Sequence, residues 1–254
     1  MIRSRKPVLR LLTPGPVDIF TQLRMEEALL RGTKDSWLIL SRGQEPATIV
    51  LGMTGKAPEL VHLEAAVADQ VPAVRRFTGG GTVVIDQDTL FTSLIMNADD
   101  VPSAPLWPRE VMQWSTGLFA NALRRAAPGL PELYLGEHDY CVGEHKVGGN
   151  AQALTGRRWV HHTSWLWRYQ PERMAWLQVP KKQPAYRAQR DHGSFLTTLD
   201  DLQVSPQQFY TGVRAAAEDL FDLRITPWHV AEAMVAQANT RIGTVQVDLA
   251  TELR

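Results

Sequence analysis

Short apolar runs alternate with longer amphipathic stretches along this chain. Apolar runs bounded by glycine or proline predict strands at WLIL (37–40), ATIVLG (47–52) and FTSLIMN (91–97). Stretches with apolar residues at helical spacing predict helices at 21–31, 58–69, 107–126 and 205–221. The last of these has Ser205 as N-cap and Pro206 at its first position.

Further strands fill the spaces between these elements. AVRRF (73–77), a glycine triplet and TVVID (82–86) predict a strand–loop–strand unit, and 132–136, 141–149 and 157–167 predict more strands. A short helix is expected after Pro227, and the pattern favours no particular structure for the rest of the tail 228–254. The mixture predicts an α+β (mixed α/β) fold, and no linker divides the chain, so we expect one domain over 1–254.

Composition narrows the functional classes. The 254 residues carry 27 basic and 27 acidic side chains, so bulk charge selects neither a nucleic acid nor a membrane surface. The single cysteine, Cys141, allows no intramolecular disulfide and no cysteine metal cluster. No apolar run is long enough to cross a bilayer, and no signal-peptide pattern follows the first basic residues, so we expect a cytoplasmic protein.

The segment RRFTGGGTVVID (75–86) is the strongest local pattern. Three consecutive glycines leave the backbone bare, so its N–H groups can approach an anion closely. Arg75 and Arg76 directly before them offer planar donors suited to phosphate or carboxylate. The pattern predicts a nucleotide-phosphate cradle, and a plain hairpin with solvated arginines is the alternative.

The segment GEHKVGGNAQA (143–153) again joins a cation to exposed backbone. Lys146 is placed to neutralise charge that develops in a transition state. Alternatively, Lys146 is an exposed strand residue and Gly148–Gly149 form a bulge.

Adjacent histidines lie in HHTSW (161–165). On a strand, His161 and His162 point to opposite faces, so they do not chelate one metal together. We therefore predict no metal site, and favour a buried, hydrogen-bonded histidine that shapes a pocket.

In this order, the three segments resemble the lipoate–protein ligases of the biotin/lipoate ligase superfamily. The family pattern Arg-Arg-x-Ser/Thr-Gly-Gly-Gly-x-Val-x-x-Asp is matched from Arg75 to Asp86, and its Lys-[Ile/Val]-[Ser/Gly]-Gly-x-Ala pattern from Lys146 to Ala151. His138-Asp139 stands where the family has Asn-Asp, HHTS follows at the family's spacing, and Met25–Leu29 matches a glutamate-rich first helix. The resemblance covers about residues 20–200.

The resemblance implies a fold and a site. The fold is a mixed sheet flanked by helices, similar to the catalytic domains of class II aminoacyl-tRNA synthetases and biotin ligases. Lys146 is implied as the catalytic residue that contacts the α-phosphate and the reacting carboxyl oxygen. The implied substrate- and nucleotide-binding residues are Arg75, Arg76, Thr78, Gly79, Gly80, Gly81, Thr82, Val83, Asp139, Val147, Gly148, Gly149, Asn150, Ala151 and His162.

The implied activity is ATP-dependent. Lipoate or octanoate becomes an acyl adenylate, with ATP and Mg²⁺ required, and the acyl group passes to a lysine of an acceptor. Implied acceptors are lipoyl domains of 2-oxoacid dehydrogenase complexes or the glycine-cleavage carrier protein. Three departures stand out: Asp88-Thr89 replaces a Gly-Asn pair, His138 replaces asparagine, and only about 25 residues follow Pro227, where long bacterial ligases carry an accessory domain. A separate accessory subunit is one way in which the function of that accessory domain could be supplied.

Other functions stay open. An octanoyl or lipoyl transferase of the same fold works without ATP through a cysteine thioester, and Cys141 is the only candidate nucleophile. We favour a buried core role for Cys141. Biotin ligases, whose glycine loop is interrupted by arginine, match less well. A non-catalytic lipoyl- or nucleotide-binding module is the alternative from another class.

Overall fold

The computed structural model describes residues 5–15, 17–101, 106–178, 192–236 and 242–253. Over these ranges the strands form an eight-stranded sheet and a four-stranded sheet. Helices pack against both sheets, so the predicted mixed α/β class is confirmed. The second sheet is an addition that the sequence pattern does not predict.

The larger sheet is mixed in strand direction. Its strands are β1 (Val8–Leu12), β2 (Ser36–Arg42), β6 (Thr89–Asn97), β7 (Leu133–Gly136), β8 (Asp139–Val142), β9 (His145–Thr155), β10 (Arg158–Leu166) and β11 (Asp222–Ile225). In space they run β11-β1-β2-β6-β10-β9-β8-β7. β1 pairs in parallel with both of its neighbours, and the remaining pairs are antiparallel.

The smaller sheet carries the glycine segment. It contains β3 (Thr48–Leu51), β4 (Ala73–Arg75), β5 (Val83–Ile85) and β12 (Val245–Val247), in the spatial order β12-β4-β3-β5. β4 and β5 each pair with β3, one in parallel and one antiparallel. The glycine segment therefore crosses over β3 and is not the turn of a plain hairpin, so the hairpin alternative is wrong.

The helices separate the sheets into layers. They are α1 (Ile19–Gly32), α2 (Ala57–Leu60), α3 (Leu63–Ala68), α4 (Pro108–Ala126), α5 (Pro171–Met174), α6 (His192–Phe195), α7 (Pro206–Leu220), α8 (Trp228–Ala236) and α9 (Leu249–Glu252). α4 and α7 pack on one face of the larger sheet, and α1 and α8 on the other. α1 also contacts the smaller sheet, whose far face packs on α2, α3 and α9.

Two predicted boundaries are wrong. The single helix expected at 58–69 is two short helices, because Val61 instead bridges to Leu177 and the His62 N–H bonds to the Trp176 carbonyl at 2.8 Å. The single strand expected at 141–149 is a hairpin that turns at Gly143, where φ is +59°. Such breaks depend on long-range partners and on one left-handed residue, which local periodicity does not report.

The C-terminal part of the chain adds helices and short strands to these layers. The helix expected after Pro227 is present as α8, and the helix expected at 205–221 has a capping box between Ser205 and Gln208. The sequence pattern does not predict β11 or β12, because strands of three or four residues carry almost no periodic pattern.

Candidate functional site

The glycine segment lies directly on strand β9, which carries the predicted lysine. The Gly79 N–H donates to the Gln152 carbonyl at 3.0 Å. A Cβ on Gly80 would lie 3.1 Å from the Asn150 carbonyl oxygen and 3.4 Å from the Ala151 Cβ. The two motifs, distant in sequence, are therefore neighbours in the fold.

Close backbone contacts explain why glycine is needed at two positions. Gly80 has φ of +116°, in the left-handed region that disfavours a side chain. A Cβ on Gly52 would lie only 2.2 Å from the Gly80 carbonyl oxygen. At Gly81, by contrast, an added Cβ would meet no atom within 4 Å. Among the described residues, the N–H groups of Gly80 and Gly81 have no hydrogen-bond acceptor, which leaves them for an anion.

Arg76 supports the glycine segment from behind. The side chain is buried, and its guanidinium donates to the carbonyls of Gly81 at 2.7 Å, Gly79 at 3.3 Å and Val50 at 3.3 Å. Burial lowers the pKa of Arg76 to about 10, and the Glu26 carboxylate opposes that shift. Arg76 thus stays cationic at neutral pH, and its charge lies beneath the loop.

The neighbouring loop residues have different environments. Arg75 is half-buried, and its guanidinium donates to the Gly55 carbonyl. Thr78 is fully buried. Thr82 and Val83 are half-buried where β5 begins, and the Thr82 Oγ1 is enclosed without a hydrogen-bond partner among the described residues. The loop is therefore anchored by its first residues, and among the described residues the Gly80 and Gly81 N–H groups and the Thr82 hydroxyl are left without hydrogen-bond partners.

Lys146 lies on the same face of β9 as the glycine segment. A Cβ on Gly149 would point at the Lys146 Nζ, 3.4 Å away, and residues 149 and 151 share one face of the strand. Ala151 on that face is the residue that Gly80 contacts. The ammonium group pairs with the Asp139 carboxylate at 2.9 Å, and 23% of the lysine side chain is exposed.

The other residues of the lysine motif pack in the core or hold neighbouring backbone in place. Val147 is buried in the core beneath α4 and α7. Gly148 allows that core to close, because a Cβ there would lie 3.0 Å from the Trp165 ring. The Asn150 amide donates to the His138 carbonyl at 3.0 Å and accepts from the Thr163 hydroxyl at 2.7 Å. Asn150 thereby fixes the turn that presents Asp139.

His162 joins helix α1 to the glycine segment. Its Nδ1 lies 2.7 Å from the Glu26 carboxylate, and its Nε2 lies 3.4 Å from the Thr78 hydroxyl. Although burial raises the pKa of Glu26, the adjacent His162 and hydrogen bonds from Ser93 and Gln22 lower it below its ordinary value. Glu26 is therefore an ionised group buried under the site, and the sequence gives no sign of it beyond the glutamate pair in the first helix.

His161 points to the opposite face, as the alternation predicts. The Gln152 amide donates to its Nδ1 at 2.8 Å, and its Nε2 donates to the Tyr140 hydroxyl at 2.9 Å. Tyr140 donates to Ser115 at 2.7 Å, and Ser115 donates to the Val111 carbonyl at 2.7 Å. Burial, aided by the charge of His162, lowers the pKa of His161 to about 3, so this imidazole is neutral.

Cys141 is fully buried on β8, opposite Lys146 across the hairpin. The expectation of a buried core cysteine is confirmed. The expectation that Cys141 and Lys146 share one strand is wrong, because the turn at Gly143 separates them.

The aromatic and basic stretch 167–180 is described up to Gln178, and 184–196 only from residue 192. Arg173 donates to Asp86 and to Glu45, both at 2.8 Å, so α5 is tied to the end of the glycine motif. The Trp176 indole donates to Asp69 at 2.7 Å. The described part of this stretch thus packs on the smaller-sheet layer.

No group of three or more His, Cys, Asp or Glu side chains is arranged to hold a metal ion in the described part of the chain. In the described ranges, none of the helices combines the length and the apolar character needed to cross a bilayer.

Comparison with known proteins identifies relatives of this arrangement. The family model described as the lipoyl protein ligase A/B catalytic domain matches residues 18–218. The relative named inactive lipoate–protein ligase 2 from Plasmodium falciparum (isolate 3D7) is 25% identical over 243 residues, covering 76% of this chain and 63% of that protein. The chain spans less than two thirds of the length of the curated relatives it matches.

Solved structures share the fold. A lipoate–protein ligase A bound with ATP superimposes with a TM-score of 0.72 at 20% identity, covering 92% of this chain and 93% of that one. The archaeal bi-partite lipoate protein ligase from Thermoplasma acidophilum, described with its E2 lipoyl domain, gives a TM-score of 0.69 at 20% identity, covering 92% and 91%.

Proposed function

The chain belongs to the lipoyl protein ligase A/B catalytic-domain family, and from that premise we propose that it activates lipoate or octanoate with ATP and transfers the acyl group to a lysine of a lipoyl domain. The observation that carries this proposal is the placement of the Lys146 ammonium on the face of β9 that also receives the glycine segment. A fixed cation and bare backbone N–H groups then border one space.

The first step is formation of the acyl adenylate. A carboxylate oxygen attacks the α-phosphate of ATP, a P–O bond forms, and pyrophosphate leaves. Two anions must approach each other, so the barrier depends on cations and donors that are already in place. Lys146 is proposed to contact the α-phosphate and the carboxyl oxygen, and the N–H groups of Gly80 and Gly81 to contact the phosphate.

The second step is transfer. The neutral amine of the acceptor lysine attacks the acyl carbon, the amide forms, AMP leaves, and a proton is lost from the nitrogen. Lys146 stabilises the negative charge on the carbonyl oxygen as a cation and keeps its proton. Asp139 supports that role, because its carboxylate pairs with the ammonium at 2.9 Å and holds it in place.

The buried charges beneath the loop are proposed to hold it in shape. Arg76 donates to loop carbonyls, and Glu26 with His162 orients Thr78. The ligand-facing donors thus need little reorganisation when the anion arrives, which is what electrostatic catalysis requires. When bound, Mg²⁺ neutralises pyrophosphate charge, and its ligands would be phosphate and water oxygens, which fits a site without a carboxylate cluster in the described residues.

The substrate and partner are taken from the relatives' chemistry. One neighbour of this fold is described as bound with ATP, and another with its E2 lipoyl domain. We propose that the chain acts as a single catalytic domain, with lipoyl domains or the glycine-cleavage carrier as acceptors and with room for a separate accessory subunit. The cytoplasm is the proposed compartment.

A second candidate function is binding of the acid or nucleotide without catalysis. One observation favours it: the relative whose match covers 76% of this chain is named inactive. The test is pyrophosphate exchange into ATP with lipoate, octanoate or no acid present. The ligase proposal predicts exchange only with an acid. Saturable acid binding without exchange would establish the binding module instead. The ATP-independent transferase is disfavoured, since its only candidate nucleophile, Cys141, is buried.

A further inference from the structure

Helix α1 carries a second buried carboxylate that the proposed chemistry does not use. Glu27 has no exposed surface, and its two oxygens accept four hydrogen bonds. The donors are the Gly243 N–H at 2.8 Å, the Thr244 N–H at 2.9 Å, the Thr244 hydroxyl at 3.0 Å and the Arg31 Nε at 2.9 Å. A buried carboxylate is tolerated only when its oxygens are satisfied, so this set of donors is a built feature.

Three of those four donors belong to the segment that leads into β12. Directly after Thr244, Val245 pairs with Arg75 and Val247 with Ala73. β12 thereby completes the outer edge of β4, whose other edge pairs with β3. The strand that enters the glycine segment is therefore held on both sides.

The same segment also covers the residue that precedes Thr78. A Cβ on Gly243 would lie 3.9 Å from the Cβ of Phe77 and 3.3 Å from the Glu27 carboxylate. Phe77 packs against Met25 and Leu29 of α1. Helix, C-terminal segment and loop entry thus form one packed unit, and the segment lies beyond residue 218, where the family match ends.

We propose that Glu27 is a positioning residue for the glycine segment, acting through residues 243–247. The carboxylate fixes Gly243 and Thr244, these keep β12 on β4, and β4 sets where Arg75, Arg76 and the glycines lie. That this placement of the glycine segment matters for binding the acyl adenylate rests on the proposed function. The chain of contacts from Glu27 through residues 243–247 to β4 does not depend on that function.

The test compares Glu27→Gln and Thr244→Val with wild type by amide hydrogen exchange. Glu27→Gln puts an amide NH₂ against backbone donors, so we expect exchange at residues 73–81 to accelerate by about tenfold. Thr244→Val removes only the hydroxyl donor, with an expected acceleration of about threefold. Exchange in α7, on the far face of the larger sheet, should not change. Glu59→Gln, at an exposed acid of α2, is the matched control.

Unaltered exchange at 73–81 in a folded Glu27→Gln protein would overturn the proposal, as would equal acceleration in α7, because that pattern reports global destabilisation. If Glu27→Gln does not fold, Thr244→Val decides by the same criterion. With an active wild type, we also expect the KM for acid to rise more than kcat falls. Exchange needs no turnover, so a wild type without pyrophosphate exchange would count against the proposed function alone.

Discussion

His161 and His162 are adjacent on β10, yet they serve regions of opposite character. His161 faces α4, in a chain of hydrogen bonds that runs from Gln152 to Ser115. His162 faces α1 and the glycine segment, next to a buried carboxylate. The hydrogen-bonded chain on the first face satisfies the polar atoms of its own members, and so is structural. On the second face Lys146 is partly exposed, and the Gly80 and Gly81 N–H groups have no acceptor among the described residues, which is why we propose this face as the ligand side.

The largest expected effect is on the ligand-facing side. Lys146→Ala removes the fixed cation, and we expect adenylate formation to fall by about 10²–10³-fold. The fold should persist, because the lysine is partly exposed and Asp139 can be solvated. Pyrophosphate exchange and thermal unfolding measure the two expectations, with Lys56→Ala at an exposed lysine as control. Wild-type exchange in Lys146→Ala would remove the lysine from the mechanism.

The glycine segment offers a matched pair of substitutions. Gly80→Ala puts a Cβ 2.8 Å from the Arg76 Nη2 at a φ of +116°, so we expect it to lower the free energy of unfolding by about 2 kcal/mol. Gly81→Ala adds a Cβ in open space and should cost much less. Urea denaturation of both variants measures the difference. Equal losses would show that the close approach at Gly80 carries no constraint.

On the structural face, the prediction concerns pH. The unfolded chain protonates His161 near pH 6.5, but the folded chain does so only at about pH 3. Between those values the unfolded state binds one more proton, so this residue makes stability fall by about 1.4 kcal/mol per pH unit of acidification. His161→Gln should remove that part of the acid sensitivity. His229→Gln, at an exposed histidine, is the control for urea unfolding from pH 7 to pH 4.

The smallest expected effect is at Cys141. Cys141→Ser places a hydroxyl in a buried position, and we expect about 1–2 kcal/mol of destabilisation with acyl transfer retained. Transfer to a lipoyl domain in the presence of ATP is the assay. Complete loss of transfer by a folded variant would favour the cysteine-thioester route.

The sequence predicts the proposed ligand-facing residues better than it predicts the buried residues that hold them in place. The glycine triplet and Lys146 stand out because their residue types are suited to anions, and their order matches a known family. Glu26, Glu27 and Tyr140 matter through partners 60 or more residues away or through burial, and neither property leaves a local pattern. β4 and β5 also look like a hairpin in sequence, because the insertion of β3 between them is set by pairing across the whole sheet.

A crystal structure with a non-hydrolysable acyl-adenylate analogue would show directly whether Lys146 and the glycine segment meet one phosphate. We expect the phosphate surrogate within hydrogen-bond distance of the Lys146 Nζ and of the Gly80 or Gly81 N–H, on the face of β9 that carries Ala151. An analogue bound on another surface, or bound in this cleft with the lysine turned away from the acyl–phosphate junction, would contradict this expectation.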